Sequence, residues 1–257
     1  MERNQATSTI PCAIVTGATS GIGAAIATTL ATEGYALLLV GRREAEGQAM
    51  ADAFRADGVD ALFLAADLSD TTAPETVVQA ALDAFGRVDV LINNAGILIQ
   101  GAAEDTTDAD WNRLMDINLN AVFRLSRAAL PALRAQGGGA IVNIASDWAL
   151  VGAKDALAYS VSKAAVAQLT RCMALDHAQE GIRVNAVCPG DTDTPMLAAG
   201  LSGAARAERV AEYGAAIPMG RVGTPQDVAG VTAFLVSDAA KYMTGALIPV
   251  DGGASAD

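Results

Sequence analysis

The chain has 257 residues, 52% of them hydrophobic and 18% charged, and its formal net charge at pH 7 is −12. This length fits one large α/β domain, and the acidity argues against nucleic-acid binding, which needs lysine and arginine to neutralise phosphates. Apolar runs fall far short of the ~20 residues that cross a bilayer, and residues 1–10 lack the apolar segment of a signal peptide. We therefore expect a cytoplasmic protein without nucleic-acid or membrane partners.

Metal-ligating residues are few. The chain has one histidine, His177, and three widely spaced cysteines, Cys12, Cys172 and Cys188. Neither set has the spacing of a metal site, so no metal is predicted. An odd number of cysteines without a pairing pattern favours free, buried thiols in a reducing compartment.

Short apolar runs alternate with longer, alanine-rich helical stretches along the chain. The predicted strands are 13–15, 36–40, 61–65, 88–92, 141–144, 183–187 and 247–250. The predicted helices are 22–33, 44–57, 74–85, 108–135, 159–180, 205–213 and 225–237. Strands without polar alternation are typical of a sheet that is covered on both faces. The alternation predicts an α/β fold, a doubly wound parallel sheet of about seven strands with helices on both faces.

A glycine-rich turn links the first strand to the first helix. It reads TGATSGIG from Thr16 to Gly23. Its glycines permit a tight turn, and the helix N-terminus then offers free N–H groups to a pyrophosphate. The turn predicts a dinucleotide site, although an ordinary strand–helix turn can have the same composition.

The end of the second strand distinguishes NADP from NAD. An acidic residue about 20 residues beyond the glycines would bind the ribose 2′-hydroxyl of NAD, whereas arginine accommodates the 2′-phosphate of NADP. The chain has Arg42 and Arg43 there, and no acid at the strand end. Guanidinium groups suit a phosphate, so NADP(H) is favoured and NAD(H) is the alternative cofactor. The alternative is that Arg42 and Arg43 are two solvent-exposed arginines that bind no phosphate.

Tyr159 and Lys163 lie four residues apart near the start of a predicted helix. Positions i and i+4 share a helix face, so both side chains can address one site. A lysine ammonium about 4 Å from the phenol would lower the pKa of the tyrosine towards neutrality, where it can exchange a proton with a substrate. Taken alone, this spacing is a weak signal.

Other residues fall at or just beyond the carboxyl ends of predicted strands, where open α/β sheets bind ligands. They are Asn93, Asn94, Ala95, Gly96, Ser146, Pro189, Gly190, Thr192 and Thr194, with Asn118 in the long helix that follows NNAG. Each one alone could be a turn, a cap or a surface residue. Their occurrence together and in this order argues against that explanation.

From residue 13 to residue 253 the chain resembles the classical short-chain dehydrogenases/reductases. The resemblance is carried by TGATSGIG, NNAG, Asn118, Ser146, YSVSK at 159–163, PG at 189–190 and VDGG at 250–253. It implies a Rossmann-type fold, a nicotinamide cofactor, and interconversion of a ketone and a secondary alcohol. The implied cofactor contacts are Gly17, Thr19, Ser20, Gly21, Ile22, Gly23, Asp67, Leu68, Asn93, Ala95, Gly96, Tyr159, Lys163, Pro189, Gly190, Thr192 and Thr194.

Four residues receive catalytic roles from the resemblance. Tyr159 would give the proton in reduction and take it in oxidation, and Ser146 would hydrogen-bond the substrate oxygen. Lys163 would lower the pKa of Tyr159 and bind the nicotinamide ribose. Asn118 would hold a water molecule that relays protons to solvent.

The motifs run without a linker or repeat, so 1–257 is predicted to be a single domain. Residues 1–10 are expected to be a disordered tail, 11–253 the dinucleotide-binding and catalytic domain, and 191–217 a substrate lid. The apolar stretches 108–135 and 159–180 are expected to pack on other copies, and the resemblance points to a homotetramer.

The residues that follow the fifth and sixth strands are predicted to face the substrate. They are Asp147, Trp148, Asp191 and Met196, and two of them are acidic. Carboxylates there would repel an anion, which favours a small, non-anionic ketone or alcohol. The alternative is that these acids point into solvent or cap helices.

Two other functions stay open. A 3-oxoacyl-carrier-protein reductase would need a basic surface for its acidic partner, and near the expected entrance the chain offers Arg134 and Arg171 beside Glu180. A catalytically silent nucleotide-binding scaffold would not need Tyr159 and Lys163 together.

Overall fold

The computed structural model describes residues 9–256, so the expected tail at 1–10 lies outside the described residues except for its last two positions. The strands are β1 Cys12–Thr16, β2 Ala36–Gly41, β3 Ala61–Ala65, β4 Val90–Asn93, β5 Gly139–Ile144, β6 Ile182–Pro189 and β7 Leu247–Val250. The helices are α1 Gly21–Thr32, α2 Glu44–Ala56, α3 Ala73–Phe85, α4 Asp108–Met115, α5 Ala121–Ala135, α6 Leu157–His177, α7 Gly203–Ala216 and α8 Pro225–Val236. Every predicted strand is present.

The strands form one parallel sheet with the order β3-β2-β1-β4-β5-β6-β7. β1 pairs with β2 on one side and with β4 on the other, so the chain order reverses between β1 and β4. At such a point the loops after neighbouring strands diverge and leave a crevice at the carboxyl edge of the sheet. The predicted doubly wound fold is confirmed, and the reversal gives the place of a ligand site.

Helices cover both faces of the sheet, which explains why the strands are apolar throughout. In β1, Ala13 and Val15 belong to one apolar cluster, and Cys12 and Ile14 belong to a second cluster on the opposite face. All four side chains are fully buried. Burial on both faces removes the polar alternation of a half-exposed strand.

The predicted helix at 108–135 is interrupted. α4 ends at Met115, α5 begins at Ala121, and Asp116–Asn120 form a π-helical turn between them. In this turn Asn118 Oδ1 accepts a hydrogen bond from the Ile97 N–H at 2.8 Å, and Asn118 Nδ2 donates to the Ile97 carbonyl at 2.9 Å. Such bulges occur frequently at functional sites, and the wider turn lets one side chain satisfy both backbone groups of a neighbouring loop.

The cysteines differ in exposure. Cys12 and Cys188 are buried, but Cys172 is exposed on α6, so the prediction that all three are buried is wrong for this one. Within residues 9–256, no helix is long and apolar enough to cross a membrane. No group of three His, Cys, Asp or Glu side chains in that range could hold a metal ion.

Candidate active site

A cavity of about 630 Å³ lies at the carboxyl edge of the sheet. Most residues predicted for the cofactor, the chemistry and the substrate line it together. They are Gly17, Thr19, Ser20, Gly21, Ile22, Arg42, Arg43, Asp67, Leu68, Ala95, Gly96, Ser146, Asp147, Trp148, Tyr159, Lys163, Pro189, Gly190, Asp191, Thr192, Thr194 and Met196. Gly23, Asn93 and Asn118 are absent from its lining.

The glycine turn is shaped by positive φ angles and by a close backbone approach. Gly17 and Gly21 have φ angles of 63° and 53°, which side chains with a Cβ rarely adopt. Gly23 does not line the cavity but lies against the turn itself, so its contact with the cofactor stays a prediction. A Cβ on Gly23 would lie 2.2 Å from the Gly17 carbonyl oxygen, so its missing side chain lets α1 pack against the turn.

Asn94, and not the predicted Asn93, reaches the cavity. Asn93 is buried and donates from Nδ2 to Ser126 Oγ at 3.0 Å and to Asn143 Oδ1 at 2.8 Å. Asn94 donates from Nδ2 to the Thr16 carbonyl at 2.8 Å and thereby ties the glycine turn to β4. Successive side chains of a strand point to opposite sides, so the two asparagines take different roles.

The two arginines at the end of β2 have different surroundings. Arg43 donates from Nη2 to the Thr19 carbonyl at 2.8 Å and to Thr19 Oγ1 at 3.0 Å. Among the described residues Arg42 makes no hydrogen bond or ion pair, and it lines the cavity near Asp67. Hydrogen bonds from Ser69 lower the pKa of Asp67, and the charge of Arg42 acts in the same direction. Arg42 is therefore the guanidinium that is available to a ligand.

Ser146, Tyr159 and Lys163 meet at the other end of the cavity. Ser146 follows β5, whereas Tyr159 and Lys163 come from the first turns of α6. Lys163 Nζ donates to the Ile144 carbonyl at 2.8 Å and lies 5.6 Å from the centroid of the Tyr159 ring. Trp148 packs edge-on against that ring, with 5.7 Å between the centroids. The structure thus brings together the three side chains that the motifs single out.

The pKa of Tyr159 is raised, and the lowering of this pKa by Lys163 stays a prediction. Burial raises the pKa of Tyr159 to about 12, against a smaller lowering by the hydrogen bond with Ser146. Burial also lowers the pKa of Lys163 to about 8. Desolvation disfavours the charged form of both groups. Tyr159 is a protonated phenol at neutral pH.

Asn118 lies behind the cavity wall. Its side chain is fully buried, and it donates from Nδ2 to Ser162 Oγ at 3.3 Å. A Cβ on Gly96 would lie 3.3 Å from Asn118 Oδ1 and 3.5 Å from Lys163 Nζ. The small residue therefore brings the backbone of the cavity wall close to both side chains, and a water relay through Asn118 stays a prediction.

The end of the cavity beside Ser146 is acidic. Asp147 is only 8% exposed, and its Oδ1 accepts hydrogen bonds from Ser146 Oγ at 2.9 Å and from the Trp148 N–H at 2.8 Å. Burial raises the pKa of this carboxyl to about 6, and the charges of Asp191 and Asp251 act in the same direction. Asp147 and Asp191 both line the cavity, and their contact with the substrate stays a prediction.

Sequence reasoning missed part of the lining. The sequence places Asn93 and Asn94 at the same strand end but assigns the cofactor contact to Asn93, and the alternation of side chains along a strand was the signal that could have separated them. The apolar lining residues that were missed are Val40, Ala66, Ile97, Leu98, Ile117, Ile144 and Ala145, whereas Pro195 and Leu197 fall in the predicted lid 191–217. The missed residues carry no signal, because the same residue types also fill protein cores.

The fold and the site define a Rossmann-type oxidoreductase. A family model described as enoyl-(acyl carrier protein) reductase matches residues 17–255. The chain belongs to the short-chain dehydrogenase/reductase family and is an enzyme that acts on CH–OH and C=O groups. The alternative of a catalytically silent scaffold is thereby excluded.

Named relatives resemble the chain over nearly its whole length. A protein of Streptomyces virginiae, assigned as the ketoacyl reductase of a monensin polyketide synthase, is 41% identical and covers 96% of this chain and 97% of its own. The cis-4-hydroxycyclohexanecarboxylate dehydrogenase of Sinomonas cyclohexanicum is 43% identical and covers 95% of this chain and 96% of its own. A solved variant of actinorhodin polyketide ketoreductase with NADPH is 36% identical, covers 96% of this chain and 97% of its own, and superposes with a TM-score of 0.90.

Proposed function

We propose that the enzyme is an NADP(H)-preferring oxidoreductase that interconverts a small, non-anionic ketone and its secondary alcohol, with Tyr159 as the acid and base. The observation that carries this proposal is the single cavity that contains Arg42, the glycine turn, and the group of Ser146, Tyr159 and Lys163. A nicotinamide cofactor held there would supply or accept the hydride. The residues of the chain would bind, orient and protonate the substrate.

The preference for NADP(H) is supported by the surroundings of Arg42. An exposed guanidinium that has no hydrogen-bond or ion-pair partner among residues 9–256, at the end of β2, suits the 2′-phosphate of NADP. Arg43 braces Thr19, so its role would be to hold the turn. Actinorhodin polyketide ketoreductase, the structural neighbour, was solved with NADPH. NAD(H) remains the alternative cofactor.

Arg42→Ala tests this preference. Loss of a charge-assisted contact to the 2′-phosphate should weaken NADPH binding by about 10-fold or more and leave NADH binding within about twofold. Both dissociation constants follow from quenching of tryptophan fluorescence. An equal loss for the two cofactors would contradict the role of Arg42. If NADPH binding is weakened only in Arg43→Ala, Arg43 and not Arg42 is the residue that contacts the 2′-phosphate.

The chemistry proposed for the site follows from the protonation states. The Tyr159 phenol, whose pKa burial raises to about 12, carries a proton at neutral pH and would give it to the carbonyl oxygen in reduction. Ser146, which is hydrogen-bonded to Tyr159, would hold that oxygen. Lys163 would contact the nicotinamide ribose, and its contact with the Ile144 carbonyl fixes its position.

The proposed substrate is small and without negative charge near the reacting carbon. Buried carboxylates at this end of the cavity repel an anion. The relative from Sinomonas is named for a ring alcohol that carries a carboxylate, so cyclohexanol against 4-hydroxycyclohexanecarboxylate is a sharp comparison. A higher kcat/KM for the carboxylate would overturn the proposal of a non-anionic substrate.

A second candidate is reduction of a ketoacyl group on an acyl carrier protein. The relative assigned as a ketoacyl reductase favours it. Against it, Arg134 ends α5 just before β5, at the edge of the sheet opposite the cavity, and it is bound to Glu180 at 2.8 Å. Arg134 therefore does not form a basic docking surface for an acidic carrier protein at the mouth of the cavity. A carrier-bound ketoacyl thioester that reacts at least about 10-fold faster than every free ketone would establish this second candidate.

A further inference from the structure

Asp147 is a buried carboxylate directly beside the atom that would hold the substrate oxygen. Ser146 Oγ and Asp147 Oδ1 are 2.9 Å apart. Oδ1 also accepts the Trp148 N–H. Oδ2 accepts no hydrogen bond from any described residue, although Asp147 is only 8% exposed and lines the cavity. One oxygen of a buried carboxylate is thus left for a ligand.

No cation compensates this carboxylate. Within residues 9–256, no lysine, arginine or histidine forms an ion pair with Asp147. Lys163, the nearest buried ammonium of the site, is held by the Ile144 carbonyl. The other charged groups that face Asp147 are Asp191 and Asp251, which have the same sign. A buried charge without a partner is costly, so a donor brought by the substrate would gain a strong, charge-assisted hydrogen bond.

We infer that Asp147 accepts a hydrogen bond from a hydroxyl group on the carbon next to the reacting carbon, so that the enzyme selects vicinal diols and α-hydroxy ketones. The inference deepens the proposed function and rests on it, because Ser146 must hold the reacting oxygen. Oxygens on neighbouring carbons lie about as far apart, when gauche, as two hydrogen-bonded atoms. Oδ2 belongs to the carboxylate whose Oδ1 lies 2.9 Å from Ser146 Oγ, so it is near enough to meet a hydroxyl on the carbon next to the one whose oxygen Ser146 holds.

A hydroxyl group of the substrate would also supply the hydrogen-bond donor that Asp147 Oδ2 lacks in the protein. A ketone without the neighbouring hydroxyl would leave Asp147 Oδ2 buried and unpartnered in the complex. Sites that must leave a buried polar group unpaired reject the analogue strongly. The selectivity thus comes from a penalty on the deoxy compound as well as from the added hydrogen bond.

The test compares cyclohexane-1,2-diol with cyclohexanol, and 2-methylcyclohexanol serves as the control for size. Wild-type enzyme with NADP⁺ should prefer the diol over both by about 10-fold or more in kcat/KM. Affinities of the same alcohols for enzyme saturated with NADPH, measured by calorimetry, give a readout that needs no turnover. Equal values for diol and cyclohexanol in both measurements would overturn the inference. A wild type that binds NADPH and the diol but oxidises none of the alcohols would instead overturn the proposed function.

Asp147→Asn removes the negative charge and the free acceptor oxygen but keeps a side chain of the same shape in the same place. The amide oxygen can keep the bonds to Ser146 and Trp148, while an NH₂ group replaces the free oxygen. The preference for the diol should fall to within about twofold of cyclohexanol. Asp251→Asn is the matched control, since the charge of Asp251 also acts on Asp147 but this residue does not line the cavity, and its preference should stay near that of wild type. An equal loss of preference in the two variants would reduce the effect to general electrostatics and overturn the inference.

Two further results would also overturn it. If Asp147→Asn weakened NADPH binding about 10-fold and left the preference for the diol intact, the free oxygen would serve the cofactor. If 2-aminocyclohexanol bound more than about 10-fold better than the diol, the recognised donor would be an ammonium group and not a hydroxyl. The first result can be interpreted only if the Asp147→Asn protein is folded, with a thermal midpoint close to that of wild type.

Discussion

At the scale of single residues, burial decides the protonation state of the catalytic group. The pKa of Tyr159 is raised to about 12 and that of Lys163 is lowered to about 8, both mainly by desolvation. At neutral pH the site therefore holds a phenol that can donate and an ammonium that still carries most of its charge. The motif spacing of Tyr159 and Lys163 predicts their common helix face, but it cannot predict burial, which depends on the loops that close over them.

Tyr159→Phe is the residue-scale test of the acid. Without the hydroxyl, turnover of any ketone should fall at least ~100-fold, because general acid catalysis contributes that much. Binding of NADPH should change by less than about twofold, since the ring and its contact with Trp148 are retained. Steady-state kinetics with fluorescence titration measures both. Turnover near that of wild type would show that another group gives the proton.

The pH dependence of diol oxidation is a second residue-scale prediction. The pKa of Asp147 lies at about 6, above the ordinary range of a carboxyl. Asp147 is thus ionised, and a full acceptor, above pH 6, and it is protonated as the pH falls below that value. The ratio of kcat/KM for cyclohexane-1,2-diol to that for cyclohexanol should therefore fall with an acid limb near pH 6. The limb should be missing in Asp147→Asn, and a limb that persists there would belong to another group.

At the scale of elements, helix ends carry stability that is separable from the site. α8 packs against α1 and begins with a capping box, in which Thr224 Oγ1 accepts the Asp227 N–H at 3.2 Å and Asp227 Oδ2 accepts the Thr224 N–H at 2.7 Å. The pKa of Asp227 is lowered by hydrogen bonds from Arg221 and then from Thr224. α7, by contrast, has Ser202 at its N-cap, and the side chain of Ser202 makes no cap hydrogen bond.

Thr224→Ala should lower the free energy of unfolding by about 1 kcal/mol, the usual contribution of an N-cap. Ser202→Ala is the matched control and should change it by less than about 0.5 kcal/mol, as expected for a surface substitution without such a bond. Urea denaturation followed by circular dichroism gives both values. Equal losses in the two variants would mean that the capping box adds nothing beyond the hydroxyl itself.

The sequence predicts the strands of this protein better than it predicts the irregular turn in its long helix. All seven strands follow from apolar runs, because a sheet that is buried on both faces demands them. The π-helical turn at Asp116–Asn120 interrupts a helix whose periodicity gives no warning, since it arises from the contact between Asn118 and Ile97, 21 positions apart. The same limit applies to Gly23, whose role is a close approach between α1 and the glycine turn. Motifs identify the participants, and packing assigns their roles.

At the scale of the whole molecule, two groups of exposed apolar side chains are candidates for contacts with other copies. Phe123, Leu157 and Val161 are exposed on α5 and α6. Phe234 on α8 and Tyr242, just before β7, are exposed elsewhere. Exposed apolar groups on two separate faces are typical of proteins that associate through both. Two different symmetric interfaces generate a closed tetramer, the state that the family resemblance implies.

The protein should therefore have four times the 26.0 kDa mass of one chain in solution, measured by light scattering after gel filtration. Val161→Asp places a charge in the α5–α6 face, where burying it without a partner is costly, and should halve the measured mass. Tyr242→Asp should halve it through the other face, and the two substitutions together should give monomers. A wild type that is monomeric at micromolar concentration would contradict the assembly, and a double variant that keeps the full mass would show that other surfaces form it.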